Sequence, residues 1–320
     1  MSVVSDFRNV PDAARGACVA LGNFDGVHAG HRAVIDLARA EAEDRRAPLA
    51  VLIFEPPPRR FFQPDSPPFR IMRPELRRQA LYAIGVDVIF ELPFNAEMAG
   101  MSPREFVDDV LVSGMGISHL SVGFDFQFGK GRTGTTATLE ELSGEFGFTL
   151  SVTDPVTEHG DKISSTAIRK ALQEGRPEDA ARFLGDYWIA DGVVEHGEKR
   201  GRTIGFPTAN LTLGNLIHPK FGIYAVWARV EGFENWMPGV ANFGRTPTTG
   251  DREPLLEVFL FDFNGTIYDR SMEVAFVSFL RPEEKFDTLD DLVVQMHKDK
   301  DQAQSLLKEA RRPGKDVPGH

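Results

Sequence analysis

The stretch that decides the fold of the first half of the chain is Gly22–Arg32, which reads GNFDGVHAGHR. It closes a short apolar run, Ala17–Phe24, and leads into His31–Arg46, whose apolar residues recur at helical spacing. A buried strand, a glycine-rich turn and an amphipathic helix in direct succession form the opening unit of a parallel α/β sheet. Glycine lets the backbone approach a ligand closely, and a helix N-terminus attracts anions. The stretch therefore predicts an anion site after the first strand.

The alternation of strands and helices continues to about Leu172. Periodicity predicts further strands at Pro48–Phe54, Val86–Leu92, His119–Gly123 and Phe148–Val152, and further helices at Pro74–Ile84, Ser102–Ser113, Leu139–Phe146 and Ser164–Gln173. In a parallel sheet the ligand site lies beyond the carboxyl ends of the strands. Functional residues are therefore expected in the loops that follow the strands.

The second half of the chain consists mostly of short apolar runs separated by Gly, Pro and Asn. These runs predict strands at Trp188–Glu195, Thr208–Leu213, Ile223–Val230, Trp236–Asn242, Leu255–Phe263 and Met272–Leu280. Strands at this spacing favour a closed or nearly closed barrel, and Thr288–Arg311 is predicted to form one long C-terminal helix. With a boundary near Gly185, we expect a first domain at residues 1–185, a second at 186–311 and a disordered tail at 312–320.

The composition excludes several functional classes. The chain carries 47 Asp and Glu against 36 Lys and Arg, a net charge of −11, so it has no global attraction to nucleic acid or to an anionic membrane. Its single cysteine, Cys18, excludes an intramolecular disulfide and a cysteine-built zinc site. The N-terminal residues do not resemble a secretory signal, and no apolar run approaches the ~18 residues of a membrane span. We therefore expect a cytoplasmic protein that acts on small molecules, with no nucleic-acid or membrane partner; self-association into a homo-oligomer is left open.

Two histidines, His28 and His31, stand at the predicted start of the first helix. Their spacing is compatible with metal ligation, but no third and fourth ligand follow at a recognisable spacing. Capping or packing of the helix start is the structural interpretation. In the chemical interpretation, an imidazole beside an anion site hydrogen-bonds a phosphoryl oxygen and stabilises developing negative charge. The neighbouring glycines favour the chemical interpretation.

A second candidate phosphate site is Ile163–Lys170, which reads ISSTAIRK. Three consecutive residues, Ser164, Ser165 and Thr166, place hydroxyls and backbone N–H groups at a helix start. Arg169 follows about one turn later and can make bidentate contacts to a phosphate. Ser164 is also a good N-cap, and that purely structural role is the alternative.

The predicted barrel holds two candidate constellations. In Gly201–Leu211, GRTIGFPTANL, Thr208 and Asn210 point to the same side of a strand, and their oxygens suit Mg²⁺ that already carries nucleotide phosphates. In Leu255–Asp262, Glu257 places one carboxylate inside an otherwise apolar strand. Either Glu257 faces outward from a half-exposed strand, or it is a general base that accepts a proton from an alcohol attacking a phosphorus.

These motifs, together with Val122–Gly129 (VGFDFQFG), resemble those of the bacterial bifunctional riboflavin kinase/FAD synthetase family over roughly residues 16–300. The resemblance implies an α/β Rossmann-like nucleotidylyltransferase domain followed by an all-β riboflavin kinase barrel with a C-terminal helix. It implies that the barrel makes FMN from riboflavin and ATP. It also implies that the first domain joins AMP from ATP to FMN, which gives FAD and pyrophosphate, and that both steps use Mg²⁺.

Carried over position by position, the resemblance implies roles for residues of the first domain. His28 and His31 would contact the phosphates of ATP. The nucleotide pocket would be lined by Gly22, Asn23, Phe24 and Asp25. Asp125 would lie near the flavin and the metal–phosphate region. Phosphates would be held in the transition state by Ser164, Ser165, Thr166 and Arg169.

In the barrel, the resemblance implies that Thr208 and Asn210 bind Mg²⁺–ATP and that Glu257 activates the 5′-hydroxyl of riboflavin. A flap over the phosphates would begin at Gly201 and Arg202. The loop Asn242–Thr248, which reads NFGRTPT, would lie near the flavin and contribute Asn242 and Arg245.

One departure from the family pattern follows the second strand of the first domain. Many relatives have Phe-Glu/Asp-Pro-His-Pro there, whereas this chain has Phe54–Pro58, FEPPP, with Pro57 in the place of the histidine. A riboflavin kinase with a silent N-terminal domain is therefore one alternative, and a non-catalytic flavin-binding or flavin-sensing protein is another. The charge-handling residues that such a binder would lose first are all retained, which favours the enzyme.

Overall fold

The computed structural model describes residues 2–158, 160–196, 206–245 and 253–314. The chain divides into two compact units. The first comprises Met1–Pro67 and Pro74–Ile163, and the second comprises Pro68–Arg73 and Ser164–His320. The division falls earlier in the sequence than Gly185, and a six-residue segment of the first half belongs to the second unit.

The first unit is built on a six-stranded sheet that is parallel throughout, as the sequence predicts, with one strand more than the five expected. Its strands are β1 (Ser2–Val4), β2 (Cys18–Leu21), β3 (Leu49–Phe54), β4 (Val88–Leu92), β5 (His119–Gly123) and β6 (Thr149–Thr153), in the order β1-β4-β3-β2-β5-β6. In this order β3 lies on one side of β2 and β5 lies on the other. The loops after β2 and β5 therefore flank the crevice where ligands bind in such sheets.

Helices connect the strands of this sheet. They are α1 (Ala29–Arg45), α2 (Pro58–Phe62), α3 (Pro74–Ala83), α4 (Ala96–Gly100), α5 (Pro103–Glu105) and α6 (Thr136–Phe146). The helix expected at 102–113 begins with the predicted capping box, since Glu105 N donates to Ser102 Oγ (3.2 Å) and Ser102 N donates to Glu105 Oε2 (2.7 Å). After α5 the chain winds as a π-helix over Phe106–Met115. A two-stranded ribbon, β7 (Thr157–Glu158) and β8 (Asp161–Lys162), completes the unit.

The second unit is built on a six-stranded antiparallel sheet that curls into a nearly closed barrel. Its strands are β9 (Trp188–Val193), β10 (Thr208–Thr212), β11 (Gly222–Val230), β12 (Met237–Gly244), β13 (Leu255–Leu260) and β14 (Ser271–Arg281), in the order β10-β13-β12-β11-β14-β9. The two edge strands approach each other, because Glu195 N donates to Asn210 O (2.8 Å) just beyond the end of β9. The barrel expected from the strand spacing is confirmed.

In the described part of the second unit, three helices accompany the barrel: α7 (Ser165–Gln173), α8 (Pro177–Leu184) and α9 (Leu289–Glu309). Thr288 caps α9, accepting a hydrogen bond from Asp291 N (3.1 Å). Ala303 and Leu307 of α9 pack in a cluster with Trp227 and Phe261. The helix therefore covers one part of a sheet face and leaves the rest of that face for other groups.

The segment Pro68–Arg73 is joined to the rest of the second unit by side-chain and backbone contacts. Trp188 Nε1 donates to Ile71 O (2.8 Å), Ile217 N donates to Arg70 O (2.7 Å), and Arg73 pairs with the Asp191 carboxylate (3.2 Å). At the other end of the unit, Gly314 N donates to Asp186 Oδ2 (2.9 Å), so the first residues of the predicted tail make a defined contact. The remainder of that tail lies outside the described residues.

Candidate functional sites

The turn after β2 in the first unit is the predicted nucleotide loop. Phe24 and Val27 adopt left-handed backbone conformations, with φ of +47° and +43°, which non-glycine residues seldom do. Phe24 lies almost fully buried under Gly22, where a Cβ would come within 3.2 Å of the Phe24 ring. Asp25 is buried and Asn23 is exposed. The loop is therefore held by packing in a strained shape, as loops at functional sites often are.

His28 and His31 lie at the start of α1. His28 is buried and caps the helix, since its Nδ1 accepts a hydrogen bond from His31 N (3.3 Å). The two rings stack with their centroids 3.6 Å apart. A Cβ at Gly30 would lie 3.2 Å from the His28 ring, so the glycine makes room for the pair. The capping interpretation is confirmed, and it places both imidazoles at the positive end of the helix dipole, where an anion binds.

A group of phenylalanines that the motif analysis did not single out lies beyond the ends of β3 and β4. Phe61 and Phe62 of α2 each pack edge-to-face against Phe94, with centroids 5.5 and 5.7 Å apart, and Phe94 also packs against Phe54 (5.4 Å). The Phe62 side chain remains 63% exposed. Pro57, in the place of the family's histidine, is buried and forms the N-cap position of α2. Exposed aromatic rings at the ligand end of a sheet suit a planar heterocycle.

Asp125 lies in the turn after β5, on the other side of the crevice. It is exposed and pairs with Lys162 of β8 (Oδ2 to Nζ, 2.9 Å). The Lys162 ammonium also lies 4.5 Å from the centre of the Phe124 ring. An exposed pair of this kind contributes little stability and its charges can be redirected to a ligand.

The hydroxyl cradle at the start of α7 belongs to the second unit. Ser164 Oγ accepts a hydrogen bond from Ala167 N (3.2 Å), which confirms its N-cap role. Ser165 is partly exposed and Thr166 is exposed at the same helix start. Arg169 Nε donates to Phe69 O (2.6 Å), and its guanidinium lies over the Phe69 ring. The backbone of residues 68–73 therefore fixes the direction of the arginine.

Three polar side chains form a row across neighbouring strands of the barrel. Asn210 of β10 is directly opposite Glu257 of β13, and Glu257 is directly opposite Asn242 of β12. Directly paired residues project from the same face of a sheet, so the three side chains lie side by side. Thr208 lies on the same face of β10, two residues before Asn210. The two asparagines expected near the substrates are thus brought to either side of the expected base.

The environment of Glu257 departs from that of a surface carboxylate. Burial raises the pKa of Glu257 above its ordinary value, and a hydrogen bond from Asn242 Nδ2 to Oε2 (3.5 Å) partly opposes the rise. The interpretation of Glu257 as an outward-facing surface residue is therefore disfavoured. A carboxylate with a raised pKa, facing a polar row, is suited to accept a proton.

Glu283, which follows β14, is a member of this site that the sequence analysis missed. Asn242 hydrogen-bonds the Glu283 carboxylate as well as that of Glu257. The pKa of Glu283 is raised by burial and by the negative charge of Glu257, against the lowering effect of the Asn242 bond. A Cβ built on Gly244 would overlap the Glu283 carboxylate, so the glycine is required for the approach. The sequence signal for Glu283 is the acidic pair in Arg281–Phe286, RPEEKF.

The side-chain oxygens of the polar row fit a magnesium ion carried by nucleotide phosphates. Asn210 Oδ1 and Asn242 Oδ1 are buried and accept no hydrogen bond from the described residues. Thr208 also lines a surface depression together with Pro207, Val258, Leu260, Phe263 and Tyr268. Within the described ranges, no cluster of three or more His, Cys, Asp or Glu side chains could hold a metal by itself. Mg²⁺ bound mainly through phosphates and one or two neutral protein oxygens matches this donor set.

The remaining expected residues fall at the edge of the described barrel. Arg245 is exposed directly after β12, at the end of the described part of the NFGRTPT loop. Gly201 and Arg202, expected to begin the phosphate flap, lie outside the described residues.

A parallel α/β unit with an anion-binding helix start, followed in the chain by a barrel that buries a carboxylate between amide side chains, defines a two-unit nucleotide-dependent transferase. Comparison with known families agrees with that class. The FAD synthetase family model matches residues 10–167, and the riboflavin kinase family model matches residues 184–307.

Relatives named bifunctional riboflavin kinase/FMN adenylyltransferase match almost end to end. The Haemophilus influenzae protein is 39% identical over 307 residues, which cover 96% of this chain and 99% of the relative. The Escherichia coli K12 protein is 38% identical over 300 residues (93% and 96%), and the Bacillus subtilis protein is 40% identical over 291 residues (89% and 90%). The chain therefore belongs to the bifunctional riboflavin kinase/FMN adenylyltransferase family.

The fold is also shared with a solved structure. A crystal structure of a Streptococcus pneumoniae protein named a macrolide-efflux protein matches with a TM-score of 0.84 and 30% identity, over 95% of this chain and 98% of that one. In the part of the chain that the structure describes, none of the helices has the length and apolar character needed to cross a membrane.

Proposed function

We propose that this chain carries out two successive ATP-dependent reactions: phosphorylation of riboflavin to FMN, and adenylylation of FMN to FAD with release of pyrophosphate. The observation that carries the proposal is the agreement between family and geometry. The riboflavin kinase match covers the barrel with its Asn210–Glu257–Asn242 row, and the FAD synthetase match covers the parallel sheet with its anion-binding helix start.

In the kinase reaction, the Glu257 carboxylate accepts the proton of the riboflavin 5′-hydroxyl while that oxygen attacks the γ-phosphorus of ATP. Mg²⁺, when bound to the nucleotide, neutralises phosphate charge and aligns the phosphates. Thr208 and Asn210 would hold the ion, Asn242 holds the base in place, and Arg245 lies toward the flavin side. The family resemblance implies that Gly201 and Arg202, which lie outside the described residues, would contribute to a flap over the phosphates.

In the adenylyl transfer, an oxygen of the FMN phosphate attacks the α-phosphorus of ATP, and pyrophosphate leaves. No covalent enzyme intermediate is needed, so the protein positions the reactants and neutralises charge. His28 and His31 donate to phosphate oxygens at the N-terminus of α1. As the family resemblance implies, phosphate binding would also use hydroxyls and a guanidinium from Ser164, Ser165, Thr166 and Arg169. The turn Gly22–Asp25 approaches the nucleotide, and Asp125 lies toward the flavin and the metal.

We propose residues 1–185 as the FMN adenylyltransferase domain, 186–311 as the riboflavin kinase domain and 312–320 as a tail. The family matches support the division, since one ends at 167 and the next begins at 184. A cytoplasmic location, with flavins and ATP as partners and no role for nucleic acid or membrane, fits the net charge of −11 and the single cysteine. Neither the kinase-only alternative nor the non-catalytic binder is favoured by the names of the relatives.

The test is product chromatography after incubation of the purified protein with ATP, Mg²⁺ and either riboflavin or FMN. FMN followed by FAD from riboflavin, and FAD with pyrophosphate from FMN, is the expected result. FMN alone would leave the first unit without its proposed activity, and Pro57→His would then show whether the missing histidine is responsible. Flavin binding without turnover would refute both reactions.

A further inference from the structure

Arg77, a buried arginine of α3, belongs to none of the motifs that identify the family. Its side chain is only 3% exposed. Of the residues of α3 only Arg77 and Leu81, one turn apart, are buried, so the arginine replaces a core residue on the face of the helix that packs inward. Removing a charged guanidinium from water costs free energy, so a buried arginine needs several compensating partners.

The partners of Arg77 lie in the loops after the neighbouring strands β2 and β3, and in strand β4. Nη1 donates to the backbone carbonyl of Asn23 (3.2 Å), in the nucleotide loop after β2. Nη2 donates to Glu55 Oε2 (3.0 Å), in the loop after β3, and to Glu91 Oε1 (3.2 Å) in β4. One guanidinium therefore joins the nucleotide loop to the loop that leads into the phenylalanine group.

The nucleotide loop needs such a support because of its backbone shape. Phe24 immediately follows the bonded carbonyl and has φ of +47°, a strained conformation that persists only where its surroundings fix it. Since the peptide unit is planar, a hydrogen bond to Asn23 O also fixes the direction of the Phe24 N–H. On its strand side the turn is also held by Gly22 N, which donates to Leu52 O (3.2 Å), and within the turn Val27 N donates to Phe24 O (3.2 Å).

We infer that Arg77 is a positioning residue for adenylyl transfer, holding the strained nucleotide loop and the loop after β3 in the arrangement that binds ATP beside the flavin. This inference rests on the proposed FAD-forming activity of the first unit. Arg77 touches no reacting atom and acts through Asn23 and Glu55. The Nε of Arg77 is buried and has no hydrogen-bond partner among the described residues, which is a further sign that core stability alone did not select an arginine here.

Arg78 provides a matched control on the same helix. It pairs with the other oxygen of Glu91 (Nη1 to Oε2, 2.6 Å), and its remaining described ion pair is with Glu75 on the surface. Its side chain is about 29% exposed. Arg78→Met removes a positive charge from the same carboxylate without releasing the nucleotide loop.

The experiment compares steady-state FAD formation from FMN in Arg77→Met, Arg77→Lys and Arg78→Met, with FMN formation from riboflavin measured on each preparation. We expect Arg77→Met to raise the KM for ATP in FAD formation about tenfold or more, with a smaller fall in kcat and FMN formation within about twofold of the unsubstituted protein. Arg77→Lys should recover part of the KM, and Arg78→Met should change neither activity by more than about twofold.

A double variant, Arg77→Met with Glu91→Gln, separates positioning from simple stability, because it removes the carboxylate charge that the single variant leaves buried. We expect it to regain melting temperature while its KM for ATP stays high. The inference would be overturned if the double variant regained both the melting temperature and the low KM for ATP. It would also be overturned by equal KM values in Arg77→Met and Arg78→Met, or by equal loss of FMN and FAD formation in Arg77→Met. The unsubstituted protein is assayed first: failure to form FAD would refute the proposed function, whereas FAD formation with an unchanged KM in Arg77→Met would refute only the role of Arg77.

Discussion

Replacement of Asn242 by alanine should shift the pH dependence of FMN formation upward. Asn242 is the hydrogen-bond donor that opposes the effect of burial on the pKa of Glu257. Its loss removes an interaction made with the charged form of the carboxylate and leaves the burial unchanged. The pKa of Glu257, already above its ordinary value, should therefore rise further.

The size of the shift follows from the geometry of that bond. A hydrogen bond to a charged group contributes about 1.5–3 kcal/mol, and the separation of 3.5 Å between Nδ2 and Oε2 places this one at or just below the low end. About 1.4 kcal/mol corresponds to one pKa unit. Glu257 must be ionised to accept the proton, so activity is present above its pKa and lost as the pH falls through it. The acidic limb of kcat/KM should therefore move upward by about one unit.

The assay is kcat/KM for riboflavin phosphorylation over a pH series, with FAD formation from FMN at each pH as a measure of protein integrity. Asn210→Ala is the matched control, since Asn210 flanks Glu257 on the opposite strand and its Oδ1 accepts no hydrogen bond from the described residues. That variant should weaken the dependence on Mg²⁺ and leave the acidic limb in place. An acidic limb that is unchanged or moves downward in Asn242→Ala would refute the assignment of Glu257 as the titrating base.

Three further variants test the two sites. Glu257→Gln should reduce FMN formation about 10²–10⁴-fold while FAD formation from supplied FMN stays within about twofold, as measured by product chromatography. His28→Ala combined with His31→Ala should do the reverse, reducing FAD formation and sparing the kinase. Gly244→Ala should impair the kinase selectively, with a raised KM for riboflavin, because the added methyl group would displace the Glu283 carboxylate.

A specific result would contradict each of these three predictions. Loss of both activities in a folded Glu257 variant, or in the folded double histidine variant, would mean that the two reactions do not use separate sites. For the glycine, Gly144→Ala on α6 is the control, since nothing lies within 4 Å of a Cβ there and alanine favours a helix. If the Gly244 variant has the same kinase activity as the Gly144 variant, the position of the Glu283 carboxylate is not important for the kinase reaction.

The sequence predicts the strands of both units well because each is a compact apolar run. Strand β5 is found at His119–Gly123 as expected, and the barrel strands lie within two or three residues of their expected ends. Strand β1 was missed since Ser2–Val4 is too short to show a period, and it forms only by parallel pairing with β4. The π-helical winding of Phe106–Met115 has the same apolar residues that an α-helix would have, so periodicity could not reveal it.

Some residues of the candidate sites could likewise be predicted from the sequence, and others could not. The residue pattern singled out Asn210 and Glu257, the family resemblance added Asn242, and strand register then places the three side by side. Glu283 and Arg77 could not be predicted from spacing, because each enters a site through tertiary packing. One depends on the turn after β14 and on Gly244, and the other depends on the packing of α3 beneath two loops.

The six residues Pro68–Arg73 limit how the protein can be cut into working halves. A fragment that begins at residue 186 would lack the acceptor for the Trp188 indole, which is the Ile71 carbonyl. It would also leave the Asp191 carboxylate without Arg73, although burial already raises the pKa of Asp191 and the arginine is the main force that lowers it. During synthesis these residues leave the ribosome more than a hundred positions before their partners. The second unit is therefore completed by a segment that is synthesised long before the barrel strands. Truncation of the gene at the apparent domain boundary should yield a barrel that is destabilised at its first strand, β9.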